Sequence, residues 1–323
     1  MNFLEVSDLK VYYHTQQGVV KAVDGVDFVV EKGSSVGLAG ESGCGKTTLG
    51  LSILKLLPSN GVIESGKVLF NGSDIYSLSE DEFREKIRWK LISMIFQGAM
   101  NALNPVFRVE DQIAEALTLH EKVSKKEAVE IARDLLKRVD IDPAMGRQYP
   151  HEFSGGMRQR AMIAMALVCN PQLVIADEPT TALDVIVQKQ LMDLLRRLRK
   201  EMDLTLIVIS HDISVLAELC DYLDIMYAGR IVEWAEINEL FENPLHHYTH
   251  GLISTFPTVL DEHRKSKFEF IPGAPPNLLN PPKGCRFHPR CPAATEVCRR
   301  DPPPAMRRVT AKHYVACHHP RGG

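Results

Sequence analysis

A chain of 323 residues, 45% hydrophobic and 24% charged, can bury a substantial core and has the length of one large domain plus an appendage. Its formal net charge of -3 offers no broad electrostatic attraction to nucleic acid. No run approaches the roughly 20 apolar residues needed to span a bilayer, and Met1-Asn2-Phe3-Leu4-Glu5-Val6 lacks the charged and hydrophobic regions of a signal peptide, so a cytosolic chain is expected.

Leu9-Lys10-Val11-Tyr12-Tyr13 alternates as a strand does. Ser35-Val36-Gly37-Leu38-Ala39 is a short apolar run that leads into Gly40-Glu41-Ser42-Gly43-Cys44-Gly45-Lys46-Thr47, and Thr47 to Leu57 is predicted helical, stopped by Pro58. Strand, glycine-rich loop and helix together are the context of a P-loop. Glycines 40, 43 and 45 let backbone N–H groups turn toward phosphate, Lys46 reaches the β and γ phosphates, and Thr47 ligates Mg²⁺. The nucleotide-binding stretch is expected to include Ser42, Gly43, Cys44, Gly45, Lys46, Thr47 and Thr48.

Further along, the apolar run Leu91–Phe96 precedes Gln97, and the sequence then turns helical. Ser124-Lys125-Lys126-Glu127 has a capping-box pattern ahead of Ala128, Ile131, Ala132, Leu135 and Val139 at helical spacing. Ser154 is placed to cap a helix running from Met157 to about Cys169, ended by Asn170-Pro171. With Gly155 and Gly156 permitting close approach, the free N–H groups at its start make an anion site. Spacing alone does not say whose phosphate it meets.

Leu173-Val174-Ile175-Ala176 has the continuous apolar character of a strand buried on both faces, and it delivers Asp177 and Glu178 to its carboxyl end, where α/β sheets bind ligands. Asp177 is expected in the Mg²⁺ shell, with Glu178 orienting or deprotonating the attacking water. A further strand, Leu204–Ile209, leads to Ser210-His211-Asp212, and His211 is a candidate contact of the γ-phosphate.

Ten of the nineteen prolines lie between Pro272 and Pro304, which argues for a loop-rich module beyond a boundary zone at about residues 235 to 272. Cys285, Cys291, Cys298 and Cys317 fall in this module, with five, six and eighteen residues between successive members. In a cytosolic chain such a set points to metal before disulfide. Tight Cys-x₂₋₄-Cys zinc pairs are absent, which favours a four-thiolate iron-sulfur cluster; zinc stays open, with His288, His313, His318 and His319 as further ligands, and so do unligated thiols.

Taken together, the ordered motifs resemble those of ATP-binding cassette (ABC) ATPases over nearly residues 1 to 235, with Phe153-Ser154-Gly155-Gly156-Met157 as a variant of the Leu-Ser-Gly-Gly-Gln signature. Pro150 through Arg160, Asn101-Ala102-Leu103-Asn104-Pro105 and Ala176 through Asp184 more narrowly resemble the ATP-binding subunits of dipeptide and oligopeptide importers. Asn243 through His250, with His247 in place of a proline, then Ile271–Pro276 and Gly284–Pro292, continue that resemblance.

The resemblance implies an α/β fold: a RecA-like core with an antiparallel β subdomain and a helical subdomain over about 98–170, within a nucleotide-binding domain at 1–235. A connection at 236–271 then leads to a four-cysteine module at 272–323. It implies a composite site in which ATP on the P-loop is covered by Ser154, Gly155, Gly156 and Met157 of a facing subunit. Tyr13 matches the aromatic that stacks on adenine, with Tyr12 the neighbouring candidate and a plain strand residue an equal reading of the pattern. Gln97, with Thr47 and Asp177, falls to Mg²⁺ and joins Glu178 and His211 as catalytic by linking the ion and the water to the membrane-facing helical subdomain, and Asp184 falls to the loop that crosses the dimer interface. Met157 stands where many cassettes have glutamine, which removes a side-chain contact and leaves the backbone site. With Glu178 and His211 in place, hydrolysis is expected.

Implied cofactors are ATP, Mg²⁺ and a [4Fe-4S] cluster at the four cysteines, with Zn²⁺ the alternative. Implied partners are a second cassette subunit, two transmembrane permease subunits and, indirectly, an extracellular binding protein, all at the cytoplasmic side of the cell membrane. Peptide is the implied cargo, oligosaccharide or nickel the alternatives. A nucleic-acid-associated cassette ATPase is the rival reading, and the chain has no basic run to support it.

Overall fold

The computed structural model describes residues 2–98, 102–255 and 271–322. Met1, Asn101 of the importer-like string and residues 256–270 of the expected 236–271 connection lie outside the described residues. In chain order the strands are β1 (Leu4–Thr15), β2 (Gly18–Val30), β3 (Ser35–Ala39), β4 (Gly61–Phe70), β5 (Ser73–Asp74), β6 (Ile92–Ile95), β7 (Leu173–Asp177), β8 (Thr205–Ile209), β9 (Tyr222–Tyr227), β10 (Arg230–Glu236), β11 (Arg307–Thr310) and β12 (His313–Val315). The helices are α1 (Lys46–Ile53), α2 (Glu80–Lys86), α3 (Val109–His120), α4 (Lys125–Arg138), α5 (Gly155–Leu167), α6 (Val185–Glu201), α7 (Ile213–Leu219), α8 (Ile237–Glu242) and α9 (His247–Ser254). None of them is long and apolar enough to cross a membrane.

The chain forms two compact units, Met1–Val30 with Ser35–Asp74 and Ser210–Gly323, and Glu31–Ser34 with Ile75–Ile209. In the first unit, β2-β1-β4-β5 is an antiparallel sheet whose alternation buries Leu4, Val6, Leu9 and Val11. A second sheet segment has the order β11-β12-β10-β9-β3, with β3 and β9 parallel and the remaining neighbours antiparallel. Residues 272–323 thus share a unit with the P-loop, because β12 pairs with β10 at Glu233↔Val315, Trp234↔Tyr314 and Ala235↔His313.

In the second unit β8-β7-β6 is wholly parallel, and every residue of these three strands is buried, as the apolar runs of the sequence require. Full burial of each Leu, Ile or Val there contributes about 1.5–3 kcal/mol. The helical region carries α3, α4 and α5. Ser124 caps α4 by accepting from the Glu127 N–H, but the cap is one-armed, with no return bond to complete a capping box. Ala128, Ala132, Leu135 and Val139 are buried, Ile131 is only half-buried, and Leu136 takes a core position that the periodicity did not single out. Arg133 ties α4 to α3 through a forked pair with the buried Glu110 carboxylate, at 2.7 and 3.1 Å.

One helix is shorter than expected. α1 ends at Ile53, four residues before Leu57, because Lys55 takes a left-handed conformation (φ 51°) that a helix cannot continue through.

Candidate nucleotide site

The phosphate-binding loop is built by its glycines. Gly40, Gly43 and Gly45 have φ of 150°, 77° and 111°, in the region that disfavours side chains. A Cβ on Gly40 would lie 2.1 Å from the Met226 carbonyl oxygen and one on Gly45 2.1 Å from that of Ala22, whereas a Cβ on Gly43 would meet nothing within 4 Å. The loop is therefore pressed against backbone at its two ends and open at its middle, where Ser42 and Gly43 are exposed.

Gly45 is the N-cap of α1, and its first turn carries no acidic residue, so the positive end of the helix is uncompensated by side chains. Lys46 is buried, and its ammonium donates to the carbonyls of Gly40 (2.7 Å) and Glu41 (3.1 Å), 3.8 Å from Cys44 Sγ. Burial pushes the Cys44 thiol up, with Lys46 opposing it, so this cysteine behaves as a small apolar residue. Thr47 is half-buried and Thr48 buried.

Both tyrosines of β1 are anchored, at different ends. The Tyr12 hydroxyl donates to Asp24 at 2.6 Å, whereas Tyr13 Oη lies 3.1 Å from Thr48 Oγ1. Tyr13 is the one attached to the P-loop helix. His211 is exposed and follows Ser210, whose N–H is bonded to the Leu38 carbonyl. Asp212 caps α7.

The second unit holds the acidic pair. Asp177 is buried at the end of β7; Glu178 is half-buried in a left-handed conformation (φ 51°), its N–H bonded to Ile209 O, and its Oε2 accepts from the Thr181 hydroxyl at 2.9 Å. A non-glycine residue held there stores strain of about 1–3 kcal/mol, a pattern found at functional positions. Parallel pairing of Ile95 with Ala176 brings Gln97, exposed in the turn after β6, to the same carboxyl end as Asp177.

Ser154 caps α5, accepting from the Met157 N–H at 3.3 Å, and the helix begins at Gly155 rather than at Met157. A Cβ on Gly156 would lie 2.8 Å from Val187 Cγ1 of α6, so this glycine serves close helix packing. Asp184 caps α6 through the N–H groups of Ile186 and Val187. Replacing Ser154 with alanine is expected to lower stability by about 1 kcal/mol in a denaturant melt, the usual cost of losing such a cap.

All seven cysteines of the chain are free thiols, and at the carboxyl end Cys285, Cys291, Cys298 and Cys317 line one cavity together with His288, His318 and His319. Burial raises the Cys285 and Cys317 thiols to about 11, with neighbouring thiols adding to the shift. Among the described residues no three His, Cys, Asp or Glu side chains close on one point as a ready-made single-ion site. His313 does not line that cavity: it is fully buried, with Nε2 2.7 Å from Glu233 Oε1 and Nδ1 3.4 Å from Glu239.

Five residues around the loop were not singled out from the sequence. Glu41 accepts a two-pronged bond from Arg290, the Tyr248 hydroxyl accepts from the Glu41 N–H at 2.8 Å, and Arg286 pairs with Asp24. The only signal for Tyr248, Arg286 and Arg290 was membership of the importer-like strings; Glu41 had only its place in the glycine-rich stretch, and Asp24 had none.

The model of the ABC transporter family matches residues 23–181, and that of the oligopeptide/dipeptide transporter C-terminal region matches residues 232–298. A dimeric ATP-binding cassette solved in a post-hydrolysis state with ADP and Pi superposes with a TM-score of 0.65 at 27% identity, over 72% of this chain and 98% of that one. The cbiO1 protein of Clostridium perfringens, part of an ABC transporter complex, gives 0.63 at 28% identity, over 75% and 91%. The fold is that of the ABC ATPase cassette, and the protein is an ABC-type ATPase.

Among curated proteins, the chain is 48% identical to the oligopeptide transport ATP-binding protein OppD of Salmonella typhimurium, over 93% of this chain and 89% of that one. It is 47% identical to OppD of Escherichia coli, over 98% and 93%, and 42% identical to the dipeptide transport ATP-binding protein DppD of Caldanaerobacter subterraneus, over 98% and 96%. The chain belongs to the oligopeptide/dipeptide family of ABC transporter ATP-binding subunits.

Proposed function

We propose that this chain binds and hydrolyses Mg-ATP to energise import of dipeptides or oligopeptides. The observation that carries the reading is similarity to peptide-transport ATP-binding proteins along nearly the whole chain, carboxyl-terminal region included. On this reading the N–H groups from Ser42 to Thr48 and the Lys46 ammonium hold the phosphates, Tyr13 supports the base, and Thr47, Gln97 and Asp177 complete the Mg²⁺ shell. Glu178 orients the attacking water and His211 senses the γ-phosphate. Ser154 to Met157 face the nucleotide of a second cassette subunit. The complex is completed by two permease subunits and an extracellular binding protein, which place the chain at the cytoplasmic face of the membrane. Purification with the permease pair, followed by peptide-dependent ATP turnover and peptide uptake in proteoliposomes, tests it; oligosaccharide or nickel uptake in place of peptide would reassign the cargo.

The four cysteines are proposed to hold a [4Fe-4S] cluster. Four free thiols lining one cavity support the reading, because a cubane cluster takes four thiolates. Such a cluster would staple a region of the chain poor in regular structure. Protein purified without oxygen is expected to carry about four irons and four acid-labile sulfides per chain, and Cys291→Ser to lose them; stoichiometric zinc without sulfide would replace the cluster by a zinc centre.

A further inference from the structure

Two buried arginines leave the segment between Cys285 and Cys291 and end at two different parts of the nucleotide site. Arg286, next to Cys285, donates to the Ala228 carbonyl and to the Asp24 carboxylate. Asp24 also accepts from Tyr12, the neighbour of Tyr13. Arg290, next to Cys291, grips Glu41 with both terminal nitrogens, at 2.7 and 2.9 Å, and is held in turn by the Pro272 carbonyl at 2.7 Å.

Glu41 is the second residue of the glycine-rich loop, and the carboxyl-terminal extension holds it twice, by its carboxylate at Arg290 and by its N–H at Tyr248. Tyr248 packs against Tyr227 and Phe287, and the Arg290 guanidinium lies 5.8 Å above the Tyr227 ring, so the grip sits in an aromatic cage. The Glu41 carbonyl in turn accepts from the Lys46 ammonium. One peptide bond and two contacts therefore link Cys291 to the phosphate-binding lysine. Forked charge-assisted bonds fix orientation as well as distance, and removing one partner of a buried pair leaves the other charge uncompensated.

We propose that the Cys285–Cys291 loop is a two-armed clamp on the nucleotide site, and that the state of the four cysteines and the affinity for Mg-ATP are linked through it. Arg290 and Arg286 are positioning residues: one sets the P-loop, the other the strand pair beside Tyr13. The inference rests on reading the P-loop as the Mg-ATP site and the cysteines as a metal centre. Linkage is reciprocal, so nucleotide must stabilise the metal centre by the factor with which an intact centre improves nucleotide binding.

The test uses the full chain, purified without oxygen, as wild type, Arg290→Gln and Arg290→Lys. Titration with a fluorescent ATP analogue and Mg²⁺ gives affinity, iron and sulfide assays give metal content, and circular dichroism gives the folded fraction. Iron release to a chelator is then timed with and without Mg-ATP. Arg290→Gln is expected to keep its iron and bind nucleotide about tenfold more weakly, with Arg290→Lys in between because it keeps the charge and loses the fork. Mg-ATP is expected to slow iron release from wild type and not from Arg290→Gln. A folded Arg290→Gln chain with wild-type affinity overturns the clamp; should that variant fail to fold, wild-type affinity in Arg290→Lys does so. Iron release indifferent to Mg-ATP overturns the linkage. A wild-type chain free of metal overturns the metal-centre reading instead, and the clamp is then decided by the affinity of the Arg290 variants alone.

Discussion

Glu178→Gln is expected to leave Mg-ATP bound and to lower turnover in the assembled transporter by about 100-fold or more, the range spanned by loss of a general base. The side chain keeps its shape and an oxygen for the Thr181 hydroxyl, which now lies 2.9 Å from Glu178 Oε2. Neither the left-handed backbone at residue 178 nor its N–H bond to Ile209 O depends on the carboxylate charge, so the loop should persist. What is lost is the negative charge that would accept a proton from water. Phosphate release measures the rate, and light scattering reports a nucleotide-held dimer that no longer resolves. Unchanged turnover would remove Glu178 from the base role while leaving the P-loop assignment in place.

Glu233→Ala is expected to cost about 3 kcal/mol or more in stability, the scale for stripping a buried charged acceptor from several donors. Glu233 is wholly buried and accepts from the N–H groups of Leu245 (2.6 Å) and His246 (2.8 Å), with His313 Nε2 at 2.7 Å. The substitution leaves two backbone donors and an imidazole without their acceptor, and those groups belong to the approach to α9 and to β12. Thermal melting followed by circular dichroism checks the loss, and Glu233→Gln, which retains one acceptor oxygen, should lose less. A melt unchanged in the alanine variant would show that this network contributes little net stability.

The elements that the sequence made plain are those whose cause is local. Gly40, Gly43 and Gly45 announce a loop because the backbone must take positive φ there, and Leu173–Ala176 and Leu204–Ile209 announce buried parallel strands because every position is apolar. Ser154 showed its cap for the same reason, a bond made within three residues. Long-range pairings were hidden. Arg290 and Glu41 lie 249 positions apart, Arg286 and Asp24 262, and no periodicity encodes either contact. The proline-rich stretch suggested a separate module, yet pairing of β12 with β10 draws residues 272–323 into the unit that carries the P-loop. The end of α1 was misplaced because Pro58 was read as the stop, when Lys55 had already turned left-handed.

The place of β12 also sets an order of events during synthesis. Its His313 meets Glu233 of β10 across a separation of 80 residues, so β10 emerges from the ribosome long before its outer neighbour exists. Until then one edge of β10 offers unpaired N–H and C=O groups, along with Trp234, to any passing strand. Residues 313–315 close that edge only once they too have been translated, and a nascent chain stalled short of them is the form most exposed to mispairing.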